Sequence, residues 1–214
     1  WAMLNDPDHV VREWSAAALE AINSKDAVSA LVLALKRDSS KDVRLRAAVA
    51  LRSLGAREAL RALLTYSDPE IRGMAVTGLA KIGDRESLPH IARMMTDDDI
   101  EVRRRAASYM GEVASGEAVG HLAVALEDGE GVVRCEALKA LGKIKGEKAC
   151  DMALPFIKDR DWKVRYTAVT SLGEIGHNKA LAPLVDVMLG EDDEEIRAWA
   201  AWSLGEIGDE RAIE

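Results

Sequence analysis

The sequence is poor in cysteine, proline, histidine and aromatic residues, and each shortage excludes a class of protein. Cys135 and Cys150 are the only cysteines among 214 residues. Two thiols are too few for a disulfide framework and lack the paired spacing of a zinc site, so structural thiols in a reducing, cytoplasmic compartment are expected. Five prolines, one Phe, three Tyr and five Trp stand beside 34 Ala, a balance that favours closely packed helices over sheets. The longest unbroken apolar run is the six residues Ala30–Leu35, against roughly 20 needed to cross a bilayer, so no membrane helix is expected. The four histidines, His9, His90, His121 and His177, lie far apart and suggest no ligand set. There is no glycine-rich phosphate loop, no Gly-x-Ser-x-Gly elbow and no His-Glu-x-x-His motif. Catalytic residues, a metal and a cofactor are therefore not expected.

What is present is a repeat. An aliphatic residue followed by Arg recurs at Arg12, Arg44, Arg72, Arg103, Arg134, Arg165 and Arg197, with spacings of 32, 28, 31, 31, 31 and 32. Counted from that Arg, offset +3 holds Ser15, Ala47, Ala75, Ala106, Ala137, Ala168 and Ala200, and offset +7 holds Leu or Met. Offset +10 is always aliphatic, from Ile22 to Ile207. Offsets −1, +3, +7 and +10 trace one stripe of a 3.6-residue helix, so each unit contains an amphipathic helix of about 13 residues. Gly55, Gly83, Gly176 and Gly208 at +11 are placed to end it in the left-handed conformation.

Second amphipathic segments alternate with these: Ala27–Lys36, Arg57–Leu64, Glu86–Met95, Glu117–Leu126, Lys148–Ile157 and Lys179–Leu189. Each unit is thus a helical hairpin, and the 28-residue interval reflects a shortened first helix. Pro89 and Pro183 fall early in their helices, where a missing N–H is tolerated. Acids fill offset −6 in every unit except the third, which has Tyr66, and offset −4 in every unit except the second, which has Ser40. Acids just ahead of a helix cap its free N–H groups and complement its dipole. Lys plus Arg number 29 and Asp plus Glu 37, a net charge of −8 that opposes general attraction to nucleic acid or anionic lipid.

The pattern Asp-x-Asp-x-x-Val-Arg-x-x-Ala-Ala-x-x-Leu-Gly-x-Ile-Gly-Asp, cleanest at Pro69–Asp84 and Glu194–Asp209, closely resembles HEAT repeats of the short class named after phycobilisome lyases. The resemblance spans essentially the whole chain. It implies an all-α, right-handed α-α superhelix of about seven hairpins with incomplete first and last units, forming one continuous domain over residues 1–214. It also implies a ladder in which the recurrent Arg bonds the offset −6 acid between neighbouring repeats, with Tyr66 breaking one rung. Trp1–Leu4 reads as the tail of a helix and Glu210–Glu214 as the start of another, so the segment is expected to belong to a longer protein. The related deoxyhypusine hydroxylases would imply His-Glu pairs, and none is present.

Function is expected from the residues that do not repeat, because a solenoid keeps its core periodic and varies the surface it offers. In HEAT folds, the resemblance implies, offsets +2, +5 and +9 of the second helix line the concave side. Aromatic candidates there are Trp14, Trp199 and Trp202, with Trp162 and Tyr166 nearby; Met74 shares offset +2. Arg46, Lys81, Arg104, Arg105, Lys139 and Lys143 suggest a basic strip. The expected activity is a non-catalytic scaffold binding a protein or peptide on that face, with Arg46 and Arg105 steering acidic groups. The alternatives are a bilin lyase-type subunit, implied by the resemblance, and nucleic-acid binding on the basic strip. The sequence leaves the oligomeric state open.

Overall fold

A computed structural model describes residues 2–22, 24–113 and 116–208. The described residues are all-helical, with thirteen α-helices: α1 (His9–Ile22), α2 (Lys25–Arg37), α3 (Lys41–Ser53), α4 (Arg57–Leu63), α5 (Pro69–Ile82), α6 (Leu88–Arg93), α7 (Ile100–Val113), α8 (Ala118–Leu126), α9 (Gly131–Ile144), α10 (Glu147–Ala153), α11 (Trp162–Ile175), α12 (Leu181–Gly190) and α13 (Glu194–Ile207). They form two compact units, residues 1–94 and 95–214. In the first unit α3 packs on α1, α2 and α5, and α4 packs on α5. In the second, α7, α9, α11 and α13 pack in succession, with α8, α10 and α12 against them. Residues 2–4 belong to a 3₁₀ turn, Ala2–Asn5; Trp1 and Glu210–Glu214 lie outside the described residues.

Of the alternating helices only α2 matches the 13 or 14 residues of the long helices that carry the recurrent Arg, α1, α3, α5, α7, α9, α11 and α13. Their stripe makes the core: Val43, Ala47 and Leu51 of α3 and Val133, Ala137 and Leu141 of α9 are fully buried, and the other units repeat this. Only α1 departs, with Val11 and Ile22 exposed. Asp68, Asp161 and Asp193 at offset −4 each accept a hydrogen bond from the amide two residues on, at 2.9 Å, as N-caps should. The four +11 glycines all adopt positive φ. In α9 that place belongs to Lys145, at φ 63° and ψ −175°, a backbone conformation that L side chains rarely adopt and that differs from the left-handed turn of the glycines, and Gly146 follows it at φ 89°.

The alternating helices match the second amphipathic segments; Pro183 lies within the first turn of α12 without breaking it, but at Pro155 the helix does break. Pro155 has no N–H to donate, and the chain passes from α10 into a 3₁₀ segment, Leu154–Lys158. Pro89 sits in the first turn of α6. The seven-residue α4 accounts for the short interval, and its Arg61 is tied to the next turn by Asp84 at 2.5 and 2.9 Å.

The polar ladder is a two-sided grip. One guanidinium nitrogen, Nη1, donates to the turn carbonyls just ahead of its own helix: Arg134 to Asp128 and Gly129, Arg103 to Asp97 and Asp98. The opposite edge, Nε and Nη2, forks onto the offset −6 acid of the next repeat. Arg12 holds Asp38 at 2.8 and 2.9 Å, Arg134 holds Asp159 at 2.9 and 2.8 Å, and Arg165 holds Glu191 at 3.1 and 3.0 Å. The same acid accepts the amide two residues later, as Asp159 does from Asp161 at 2.8 Å. One bidentate pair therefore fixes both turns and the spacing between them.

At Tyr66 the rung is rebuilt rather than lost. Arg44 turns to Glu70, which also takes Lys41 at 3.2 Å, and Tyr66 instead lies under Lys36 at 5.0 Å. A single acid from the wrong offset cannot fill the fork, and Arg44 Nε is left buried without a hydrogen-bond partner. Tyr66→Asp should restore the offset −6 acceptor and raise the unfolding free energy by about 1 kcal/mol in urea titration. A loss of stability would mean that the Tyr66–Lys36 stacking outweighs the missing acceptor.

The ladder also sets an acid limit. Hydrogen bonds from Arg12 hold the Asp38 carboxyl below the usual range against the opposing effect of burial. For Asp159 burial pushes upward most strongly, but Arg134 and the Asp161 amide together bring it below the usual range. Because folding lowers these values, their stabilisation is complete above the unfolded-chain value of about 3.9 and is lost as pH falls through the lower folded ones. The ladder's contribution to the thermal midpoint should be level from about pH 5 to 8 and fall below about pH 4, and Asp159→Asn should have a lower plateau and a shallower acid decline. An unchanged midpoint down to about pH 2 would remove the ladder from the acid response.

Candidate functional site

Four of the long helices in the second unit shape one groove. Its volume is about 540 Å³, and its walls come from Arg104 of α7, Val132, Cys135 and Lys139 of α9, Trp162 and Tyr166 of α11, and Glu195 of α13. Arg104, Cys135 and Tyr166 all occupy offset +1, so successive helices place them side by side. Trp162 is 49% exposed at the start of α11. Tyr166 meets Trp199 edge to face at 5.7 Å, and Trp199 meets Trp202 at 5.2 Å, making a continuous aromatic wall from α11 to α13. Trp202 keeps 47% of its surface exposed. Edge-to-face contacts of this kind hold the rings in fixed orientations at little entropic cost.

Charge around the groove is mostly neutralised. Glu101 receives Arg104 at 2.9 Å and Arg105 at 2.8 Å, and these two bonds, Arg104 first, pull its carboxyl down to about 2. Arg104 also reaches Glu136 at 3.3 Å, and Lys143 pairs with Glu112 at 2.8 Å. The basic strip expected from sequence is thus largely compensated by acids of the same and neighbouring helices. Lys139 and Lys163 line the groove without a carboxylate in ion-pair range among the described residues, and Lys163 lies 5.8 Å from the Trp162 ring centre.

Of the nine candidate residues, Lys139, Trp162 and Tyr166 line the groove, and Tyr166 leads through its ring contact to Trp199 and then Trp202 beside it. Arg105 stands in the same unit but is engaged by Glu101. Trp14, Arg46 and Met74 belong to the first unit. Trp14 is 68% exposed on α1; Arg46 is half-buried with Nε lacking a hydrogen-bond partner. Met74, expected on the open face, is buried at 8% exposure. Thr167 at the same offset is buried too, because offset +2 borders the seam between helices and a flexible apolar chain folds into it. The wall residues Val132, Cys135 and Lys163 were not expected. They sit at offsets −2 and +1; the residue at +1 differs in all seven units, and at −2 Val132 and Lys163 depart from the acid found in four units, which is the signal that marks them.

Burial pushes both thiols above their ordinary range: Cys135 is half-buried despite a hydrogen bond from Thr167 acting the other way, and Cys150 is fully buried. Neither environment favours the thiolate that nucleophilic chemistry needs. Among the described residues no group of three or more His, Cys, Asp and Glu is placed to hold a metal ion, and no helix is long and apolar enough to cross a membrane.

Comparison with known proteins agrees with the repeat geometry. The profile of HEAT repeats matches residues 1–52, 31–107, 91–157 and 151–214. No curated protein matches the chain. Similar solved structures include an engineered protein, at 22% identity and TM-score 0.55, covering 96% of this chain and 94% of the other. The YibA protein of Escherichia coli is similar at 21% identity and TM-score 0.56, with 95% and 90% covered. The complex of CpcE and CpcF of phycocyanin lyase from Nostoc sp. PCC7120 is similar at 21% identity and TM-score 0.52, with 99% and 89% covered. With the family profile running from the first residue to the last and the Arg fork repeated through both units, this chain belongs to the HEAT-repeat family.

Proposed function

We propose that the chain is a non-catalytic scaffold that binds a protein or peptide segment in the groove of α9, α11 and α13, on the face that lines the concave side in this repeat class. The observation that carries this reading is the aromatic wall. Trp162, Trp199 and Trp202 are three of only five Trp in the chain, and all lie on two neighbouring helices. Two of them keep about half their surface in water, which a purely structural role does not require. Large rings held rigid before binding supply contact area at low entropy cost, and Lys139 and Lys163 add two cations for an acidic group on the partner. Two free cysteines, both with raised thiol pKa, fit a reducing cytoplasmic setting. Likeness to the phycocyanin lyase subunits at 21% identity concerns the fold, so a bilin role gains no residue from it.

The test is retention from native lysate on immobilised chain, comparing wild type with Trp162→Ala/Trp202→Ala and with Lys139→Glu/Lys163→Glu. Both sites are exposed, so each variant should keep wild-type helicity. A protein held by wild type should be depleted about tenfold or more by the Trp variant and less by the Lys variant. Retention unaffected by the Trp variant, or loss of the captured material on nuclease treatment, would overturn the reading.

A further inference from the structure

The groove of the second unit opens on a face that neighbouring repeats leave free, since α9 is packed between α7 and α11, and α11 between α9 and α13. The polar groups of its floor are already engaged. The buried Thr167 hydroxyl donates to the Lys163 carbonyl at 2.7 Å and is hydrogen-bonded to the half-buried Cys135 thiol beside it. Around this floor stand Val132, which is 52% exposed, and the rings of Trp162 and Tyr166. The middle of the groove is therefore suited to an apolar side chain.

Charge is arranged differently. Three cations and two carboxylates line the groove, in a chain whose net charge is −8. Arg104 and Glu136 meet each other at 3.3 Å, and Arg104 is held again by Glu101 at 2.9 Å. Lys139 and Lys163 are both exposed, with no carboxylate in ion-pair range among the described residues, and Glu195 is the one remaining acid of the lining. Lys139 stands at offset +5 of α9 and Lys163 at offset −2 of α11, seven positions apart in the repeat. At 1.5 Å per residue along the axis and one helix spacing across, their backbones are roughly 14 Å apart, a span that an extended peptide covers in about four residues.

We infer that the partner of this groove is an acidic linear peptide, which lies extended with an apolar side chain over Trp162 and Tyr166 and a carboxylate on either side of it, one at Lys139 and one at Lys163. This rests on the scaffold function proposed for the groove and gives the partner its chemistry. Two isolated cations select carboxylates at two points. A phosphate backbone carries a charge at every nucleotide and needs a continuous basic track, which Glu136 and Glu195 interrupt here. A basic peptide meets like charge at both places, and a neutral one gains the ring contact alone.

Selection of phage-displayed random peptides of about twelve residues on the immobilised full chain tests this without presuming a sequence. Asp and Glu should be enriched about threefold over the starting pool, flanking an aromatic or aliphatic residue. A selected peptide, synthesised and labelled, should bind at least about tenfold more tightly than its counterpart with Gln for Glu and Asn for Asp. Lys139→Gln/Lys163→Gln should erase that difference, and Lys139→Glu/Lys163→Glu should turn the selection toward Lys and Arg, with circular dichroism confirming that each variant is folded. Selected peptides without acid enrichment, or an acid preference that survives in Lys139→Gln/Lys163→Gln, would overturn the inference and leave the scaffold function standing. Failure to select any peptide would overturn it too, with retention of lysate proteins then deciding the scaffold function by itself. Peptide binding unchanged in Trp162→Ala would remove the groove from the interaction and overturn both. A labelled oligothymidylate bound more tightly than the selected peptide would assign the groove to single-stranded nucleic acid instead.

Discussion

A bidentate arginine is the constraint on which the rest of the structure depends. Arg12, Arg103, Arg134 and Arg165 each have one edge committed to the turn that introduces their own helix and the other to the acid that introduces the next. Turn shape, helix start and repeat spacing are thereby fixed by one planar group whose donors cannot be rearranged. Lysine could supply the charge but not the two-edged geometry. The pairs are buried enough for the geometry to matter, with the Arg134 and Asp159 side chains 7% and 10% exposed. Such a pair makes a modest net contribution, since desolvation offsets much of the attraction, but removing one partner strands the other. The ladder is therefore better understood as a register device than as a source of stability.

That constraint explains what the sequence made legible. The fork requires Arg at a fixed offset, an acid six residues ahead, a small residue at +3 where helices meet, and a residue tolerant of positive φ at the end. Each leaves a mark at a constant spacing, so the helical hairpins, their caps and their order can be read directly. Breaks in the marks were legible as breaks but not in their consequences. Tyr66 announced a missing acid, yet only the coordinates show Glu70 taking its place from a different offset. Lys145 at positive φ could not be foreseen, because nothing in the local sequence distinguishes a Lys held there from a turn in which Gly146 alone takes the positive φ.

The groove was less legible for a related reason. The groove is walled by residues that break the repeat, and a break has no period. The +1 and −2 columns form the walls because neighbouring helices bring them together, which is a property of packing between repeats rather than within one. The aromatic residues were visible as exceptions in an aromatic-poor chain, and their clustering followed from adjacent repeats. Charge behaved differently: a list of basic residues on one face suggested a strip, but side chains of Glu101, Glu112 and Glu136 reach the same space and neutralise it. Whether a cation is free depends on side-chain reach, and offsets along a helix do not record it.

The placement of tryptophan is itself informative about what the core can hold. Gly and Ala at the seam allow helices to approach until a Cβ would meet backbone, so an indole there would force the helices apart. Aromatic bulk can then be carried only beside the seam, at its borders or at the helix starts. Trp199 and Trp202 occupy such borders on α13, and Trp162 opens α11. A packing explanation accounts for Trp199, half-buried between Tyr166 and Trp202. It does not account for Trp162 and Trp202, which leave nearly half of a large apolar surface in water although Ala17, Thr77, Ser108 and Thr170 stand at positions equivalent to Trp202 and His9, Lys41 and Glu194 at positions equivalent to Trp162. The close packing that makes the fold regular thus leaves its irregular aromatic residues on open helix faces, of α11 and α13 in the second unit and, for Trp14, of α1 in the first.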